Sequence, residues 1–373
     1  MNEQVLRPIS HLTLQFESAT AQALSTAELA LHSLRDVSGD ELHRRALADA
    51  CFHIEAFANM KMTGRQFNIR DQLQLPFLHA KKSEGDEKRR QESLRNRDAL
   101  LKACELGERT VVTQSFLEIH RKLCENTTRD SYKGLLRTTD LQVGGSRFHE
   151  FGTLNTLPSP EAVPDLLADL AQFCNSEELP AVAQAALAYV QFVAIHPFNR
   201  ANGKTARAVI QLIFQHRGVI ADAIAPLTLP MVTLPHEYQN GVIATAKNLT
   251  AEKPDAAELN AWIRFFCTCC VNAVTEVRAF IKRVGQLQKL WLTDLGTRSD
   301  SATTLLVHAL PGIPVLTATS AAAYLDRSFK RASTALDELT EAGIITQITR
   351  GKRNRVFECP AIINAYASIA GFQ

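Results

Sequence analysis

Residues 181–217 read AVAQAALAYVQFVAIHPFNRANGKTARAVIQLIFQHR, two apolar runs on either side of the polar segment HPFNRANGK at 196–204. The first run must stop near Ile195, because a proline at 197 bars its predecessor from helical geometry. The second run carries Ala208, Val209, Ile210, Leu212, Ile213 and Phe214, apolar around most of a helical circumference, which predicts a buried helix starting near Lys204. Gly218 stands where a left-handed residue would end it. A helix that begins just after His, Asn and Gly points its unpaired N–H groups, and the positive end of its dipole, at the loop. That makes 196–204 a candidate anion site. His196, at the start of the loop, is placed to exchange a proton with a group held there. The same residues also fit a plain helix–loop–helix in which His196 only caps the first helix, and both readings stay open at this point.

The rest of the composition sets bounds. A chain of 373 residues with 46% hydrophobic content exceeds one ordinary core, so two or three domains are expected. A net charge of +2 excludes polyanion binding by bulk electrostatics. The eight cysteines form no pair of C-x-x-C motifs; Cys267, Cys269 and Cys270 lie in the apolar stretch WIRFFCTCCVNAV and read as small core residues, so no metal site is assigned. No apolar run reaches the ~20 residues needed to cross a bilayer, and no signal peptide is evident. With free thiols, this points to a cytoplasmic protein without a membrane partner.

Along the chain, residues 1–78 show 3.6-residue periodicity, with Glu55 inside the helical stretch ELHRRALADACFHIEAFANM. Residues 79–97, HAKKSEGDEKRRQESLRNR, mix both charges around Gly85 and are expected to be a solvated connection. Two helices split near Gly107 follow, then 131–158, whose glycines, threonines and short alternating segments suggest a hairpin or extended loop. Helices resume to about residue 292. From 300 to 373 the pattern is a short helix, a second at VLTATSAAAYL, a longer one over Ser328–Ala342, and two alternating segments joined by a basic tip. That is the outline of a winged helix. Its Lys330, Arg331, Arg350, Lys352, Arg353 and Arg355 offer positive charge, offset by Asp337, Glu338 and Glu341 on the candidate recognition helix.

The 196–207 segment resembles the Fic/Doc (Fido) motif H-P-F-x-[DE]-[GA]-N-[GK]-R-x-x-R. His196, Pro197, Phe198, Ala201, Asn202, Gly203 and Arg207 match it; Arg200 replaces the acidic residue and Lys204 the first arginine. The resemblance implies a mainly α fold: N-terminal helices over 1–97, a Fido helical core with a β-hairpin flap over 98–292, and a C-terminal winged helix over 300–373. Gly134 and Arg137 resemble the lead-in to the flap, which would hold a target segment by strand pairing. The resemblance further implies transfer of AMP from ATP to a hydroxyl side chain of a target protein. In that chemistry His196 is the general base, the N–H groups around Asn202, Gly203 and Lys204 form the anion hole, and Lys204 and Arg207 meet phosphates. Glu55 occupies the place of an inhibitory glutamate that pairs with Arg207, although Cys51 and Ala56 replace the residues that usually accompany it.

The two departures matter. Magnesium needs oxygen ligands, and Arg200 offers none; it either lies on the phosphates itself or leaves a site that binds without turnover. Lys204 is a point charge where an arginine would bind bidentately. The alternative is therefore a catalytically inactive, nucleotide-sensing regulator whose winged helix binds DNA or a protein partner. The expected partners are an unidentified target protein, a DNA or protein at the winged helix, and a second copy of the chain in a homodimer.

Overall fold

The computed structural model describes residues 6–35, 39–64, 66–77, 84–125, 132–141, 157–220, 224–351 and 353–372. The helices are α1 (Ser18–His32), α2 (Glu41–Met62), α3 (Ile69–Gln74), α4 (Glu84–Gly107), α5 (Thr113–Cys124), α6 (Val163–Asn175), α7 (Ala181–Ile195), α8 (Asn202–His216), α9 (Thr228–Thr233), α10 (Pro235–Asn248) and α11 (Ala256–Leu295). The C-terminal elements are α12 (Ala302–Ala309), β1 (Val315–Thr317), α13 (Ala318–Leu325), α14 (Phe329–Glu341), β2 (Thr346–Gln347), β3 (Val356–Glu358) and α15 (Pro360–Ala367). The three strands form one antiparallel sheet, β1-β3-β2, with Val315 opposite Glu358 and Thr346 opposite the same residue on the other edge.

α7 is the axis of the larger core. Every one of its residues is buried, including Gln184 and Gln191, whose amides donate to backbone carbonyls of Phe173 and Arg7. That explains its mostly apolar composition: α1, α6, α8, α10 and α11 all pack on it. Trp262 of α11 donates its indole N–H to the Ala186 carbonyl at 2.9 Å, satisfying the one polar atom of a large buried ring. α8 ends as expected. Gly218 has φ +61°, its N–H meets the Gln215 carbonyl and Val219 N–H reaches back to Phe214, so the last carbonyls are satisfied by a left-handed turn.

The smaller core joins α12–α15 and the sheet to α3, α9, the end of α11 and one face of α2. α2 therefore serves two cores: Cys51 and Phe52 belong to the larger, and Ala50, Ile54, Phe57 and Ala58 to the smaller. Its approach to the C-terminal elements is close. A Cβ on Gly312 would lie 3.0 Å from the Ala46 backbone, so only glycine fits there.

Three expectations need restating. The charged run at 79–97 is not a separate connection; from Glu84 onward it is the first part of α4, which crosses residues 97 and 98 without a break. The hairpin expected between 131 and 158 falls largely on 142–156, outside the described residues, and residues 132–141 contain no strand. A third strand, β1, and a final helix, α15, complete the C-terminal elements beyond the outline read from the sequence.

Candidate active site

The loop between α7 and α8 is bounded by two left-handed residues that are not glycine, His196 at φ 48°, ψ 58° and Ala201 at φ 59°, ψ 19°. Such conformations cost on the order of 1–2 kcal/mol each for L-residues, so the surroundings must hold them. At His196 the holder is Arg137. Its Nε donates to the His196 carbonyl at 2.9 Å, its backbone N–H to the Pro197 carbonyl at 2.9 Å, and its terminal nitrogen to the Pro158 carbonyl. Only 2% exposed, Arg137 spends its guanidinium on backbone carbonyls.

At the far end Asn202 closes the loop on itself. Its Oδ1 accepts from Phe198 N–H at 2.9 Å and its Nδ2 donates to the Phe198 carbonyl at 2.7 Å. The Asn202 side chain is thus committed to loop geometry, and any anion contact from this residue comes from its backbone. Ala201, the N-cap, makes no side-chain cap hydrogen bond, so among the described residues the first-turn N–H groups of α8 are not taken by their N-cap.

His120 of α5 supports the middle. Its ring stacks on Phe198 with centroids 3.7 Å apart and planes 6° from parallel. Nδ1 accepts from Gly134 N–H at 3.0 Å, which fixes the neutral tautomer and leaves Nε2–H to donate to the Arg200 carbonyl at 3.1 Å. Burial pushes the His120 pKa down to about 4, consistent with a ring that must accept a hydrogen bond.

His196 is half-buried at the mouth of this loop, and Arg200 is exposed, held through its carbonyl. Lys204 is engaged: its Nζ lies 2.5 Å from Glu92 Oε1 of α4, with both side chains mostly buried. Arg207 is 2% exposed and donates from Nε to Asn59 Oδ1 at 2.6 Å. Asn59 in turn donates to Glu55 Oε1 at 3.2 Å. The expected pairing of Glu55 with Arg207 is therefore relayed: among the described residues, the link runs through Asn59, one turn along α2. Glu55 itself is 1% exposed and also accepts from the Thr228 backbone N–H at 3.0 Å and from the Thr228 hydroxyl. Burial lifts its pKa to about 7; Thr228, the charge of Arg207 and Asn59 pull the other way.

The structure thus brings together His196, Asn202, Gly203, Lys204 and Arg207 on one loop and helix start, with Glu55 behind Arg207. Asn59 was legible in principle, since it stands four residues after Glu55 on the same helix face. His120 and Glu92 carried no local signal; one sits in an ordinary amphipathic helix and the other in a charge run.

A partly buried helix start, a left-handed histidine before it and two cations, Lys204 and Arg207, on its first turns make up the candidate site on a mainly helical scaffold. Residues 110–214 match the Fic/DOC family model, which takes in α5 to α8, and the chain carries a Fic/DOC family domain. Among curated relatives, protein adenylyltransferase fic-1 of Caenorhabditis elegans is 32% identical over 136 residues, 36% of this chain and 24% of that protein. A probable protein adenylyltransferase of Aquifex aeolicus is 21% identical over 182 residues, 46% of this chain and 55% of its own. The chain thus spans about a quarter to a half of the curated relatives it matches. A solved structure of a Fic family protein from Desulfovibrio desulfuricans has a TM-score of 0.51 at 16% identity, covering 92% of this chain and 97% of that one. Fic-1 from C. elegans, solved over its residues 134 to 508, has a TM-score of 0.52 at 20% identity, covering 70% and 73%. The Fido fold is shared with both.

Proposed function

We propose that this protein is a Fic-type, adenylyltransferase-like enzyme that binds ATP at the start of α8 and transfers AMP to a hydroxyl of a target protein. The observation that carries the reading is the Arg137 clamp, which holds His196 in a strained conformation directly before an uncapped helix N-terminus. In the transfer, His196 takes the hydroxyl proton, the freed oxygen attacks the α-phosphorus, and the bond to the bridging oxygen of the β-phosphate breaks, releasing pyrophosphate. Backbone N–H groups at the start of α8 stabilise the charge that develops on phosphate. This chemistry depends on placement and electrostatics, which a rigid loop supplies.

The site's own residues oppose a magnesium ion. Arg200, where the resembled motif has its acidic ligand, contributes five donors and no acceptor. No step is routed through a metal here, and slow or metal-independent transfer is the expected behaviour.

The same loop is held in check. Both cations that would meet phosphates are already occupied, Lys204 by Glu92 and Arg207 by the Asn59–Glu55 relay. We read this as autoinhibition, with α2 and α4 each supplying one latch. The deciding experiment incubates the protein with labelled ATP, with and without magnesium, comparing wild type, Glu55→Gly and His196→Ala. The expected result is stronger self-labelling in Glu55→Gly and none in His196→Ala; labelling that persists in His196→Ala rules out the assigned base, and none in any variant removes the enzyme reading.

One observation favours a second reading, a regulator with a nucleic-acid contact. The C-terminal elements have the order of a winged helix, and the start of α14 borders an open groove of about 810 Å³ lined by Arg298, Arg327, Lys330 and Arg331. Arg355, by contrast, is paired with Asp337 at 2.6 Å, and Lys352 lies outside the described residues. On this reading duplex DNA binds with steep salt dependence, and Lys330→Ala with Arg331→Ala weakens it uniformly across sequences. Affinity unchanged in that double variant excludes the α14 contact.

A further inference from the structure

Two stretches meet at the candidate active site, 134–137 and 196–200, and they are tied to each other at both ends. One tie is Arg137, whose side chain and backbone N–H hold the carbonyls of His196 and Pro197. The other runs through His120. At the far end of the first stretch, Gly134 N–H donates to His120 Nδ1 at 3.0 Å. At the far end of the second, the Arg200 carbonyl accepts from His120 Nε2–H at 3.1 Å. The path therefore closes on itself: His120, Gly134, Arg137, His196, Arg200 and back to His120. Cys124 Sγ also lies 3.3 Å from Nε2, but sulfur is a weak acceptor beside a carbonyl.

The His120 side of this ring is stiff. The imidazole is 1% exposed and lies flat against Phe198, so it cannot swing away from either partner. Its two bonds demand opposite roles, acceptance at Nδ1 and donation at Nε2, which one neutral tautomer supplies together. Gly134 has φ +67°, and a Cβ there would lie 3.1 Å from the Leu117 carbonyl, so this end of the stretch is pressed against α5.

A clamp at His196 alone fixes one point of the loop and leaves the rest to pivot about it. A second tie at Arg200 removes that pivot. We propose that His120 is a positioning residue for the transfer reaction: by closing the ring it holds His196 and the approach to α8 in one geometry. Buried as it is, it does this without meeting the nucleotide or the target. The role rests on the transfer reaction proposed above.

The test uses the full-length protein in a Glu55→Gly background, with labelled ATP for the self-labelling rate at saturating nucleotide and calorimetry for ATP affinity. Two substitutions each keep one tie. In His120→Asn the side-chain oxygen stands near the place of Nδ1 and accepts from Gly134, while Arg200 loses its donor. In His120→Gln the amide nitrogen stands near the place of Nε2 and donates to Arg200, while Gly134 loses its acceptor. Because an opened ring no longer positions the loop, each is expected to slow labelling per folded molecule by roughly tenfold or more, with ATP affinity within about threefold of the parent. A residue that only stabilised the fold would leave the rate per folded molecule unchanged. Arg137→Met opens the same ring, so adding His120→Gln to it is expected to cost less than about twofold more, although the two side chains belong to different ties.

A loss of rate below about fivefold in either single variant, a matching loss of ATP affinity, or a double variant showing the full product of the single effects overturns the proposal. Should the double variant fail to fold, the two single variants decide. No labelling by the Glu55→Gly parent, with or without magnesium, counts against the proposed function itself and removes the positioning role with it.

Discussion

Arg137 Nε donates to the carbonyl of His196 at 2.9 Å, across 59 residues of sequence, and so the backbone conformation of the loop's histidine is set by a side chain from outside the loop. An arginine was suited to this: its planar fork reaches several carbonyls at once, and a lysine has no such geometry. Arg137→Met leaves the carbonyls of His196 and Pro158 without their side-chain donor in a buried place. The expected loss is roughly 3 kcal/mol of stability, with transfer activity falling more than ATP affinity because His196 relaxes from its left-handed conformation. Chemical denaturation with a parallel labelling assay separates the two effects.

The Lys204–Glu92 pair gives a second expectation. Glu92→Gln releases Lys204 to phosphate, and ATP affinity rises about five- to tenfold, on the order of 1 kcal/mol. Because both side chains are mostly buried, stability falls as well, by roughly 1–3 kcal/mol. Isothermal titration of ATP into the variant measures this directly; an affinity equal to wild type shows that Glu92 does not compete with the nucleotide.

Glu55 and Asn59 act on Arg207 in series, so their effects do not add. Asn59→Ala is expected to raise self-labelling nearly as much as Glu55→Gly, and the double variant no further. A double-mutant cycle on labelling rate tests it; a full product of the two single effects means that each residue restrains the site independently.

The pH dependence of stability has two opposed sources. The folded His120 pKa is pushed down to about 4, so between pH 6.5 and 4 the unfolded chain takes a proton that the folded one refuses, and stability falls on acidification by up to about 3 kcal/mol. His53 of α2, also lowered to about 4 by burial, acts in the same sense. Glu55 is the reverse. Its pKa rises from 4.5 to about 7, so its contribution is fully present below pH 4.5 and is lost as pH climbs through 7. Melting temperature measured from pH 4 to 8 should therefore peak between about 6 and 7. Glu55→Gln flattens the alkaline side, and His120→Gln flattens the acid side; a Glu55→Gln curve parallel to wild type above pH 6 contradicts the assignment.

Much of this was readable from the chain. The mostly apolar run 181–195 reads as a buried helix, and Pro197 and Gly218 mark the loop and the end of the next helix by backbone chemistry alone. The identity of the loop followed because its residues are contiguous. What stayed hidden is what reaches the loop from elsewhere. His120 looks like any histidine on an amphipathic helix, and its stack on Phe198 exists only once α5 is docked. Glu92 sits in a segment whose mixed charge suggested solvent, because no local pattern separates the one carboxylate that turns inward from its neighbours. Glu55 was located by its place in the chain, but its relay through Asn59 depends on how α2 is rotated against α8.

α2 has residues in both hydrophobic cores, and this bears on how the chain unfolds and how it can be recombined. A helix that is half of two interiors couples their melting, so heat should denature the described structure in one calorimetric transition rather than two. Truncation after Leu295 would strip cover from Ile54, Phe57 and Ala58 and leave an aggregation-prone face instead of a freestanding helical domain. The C-terminal elements are for the same reason not interchangeable with those of another protein. Any transplanted replacement would have to bring its own version of α2.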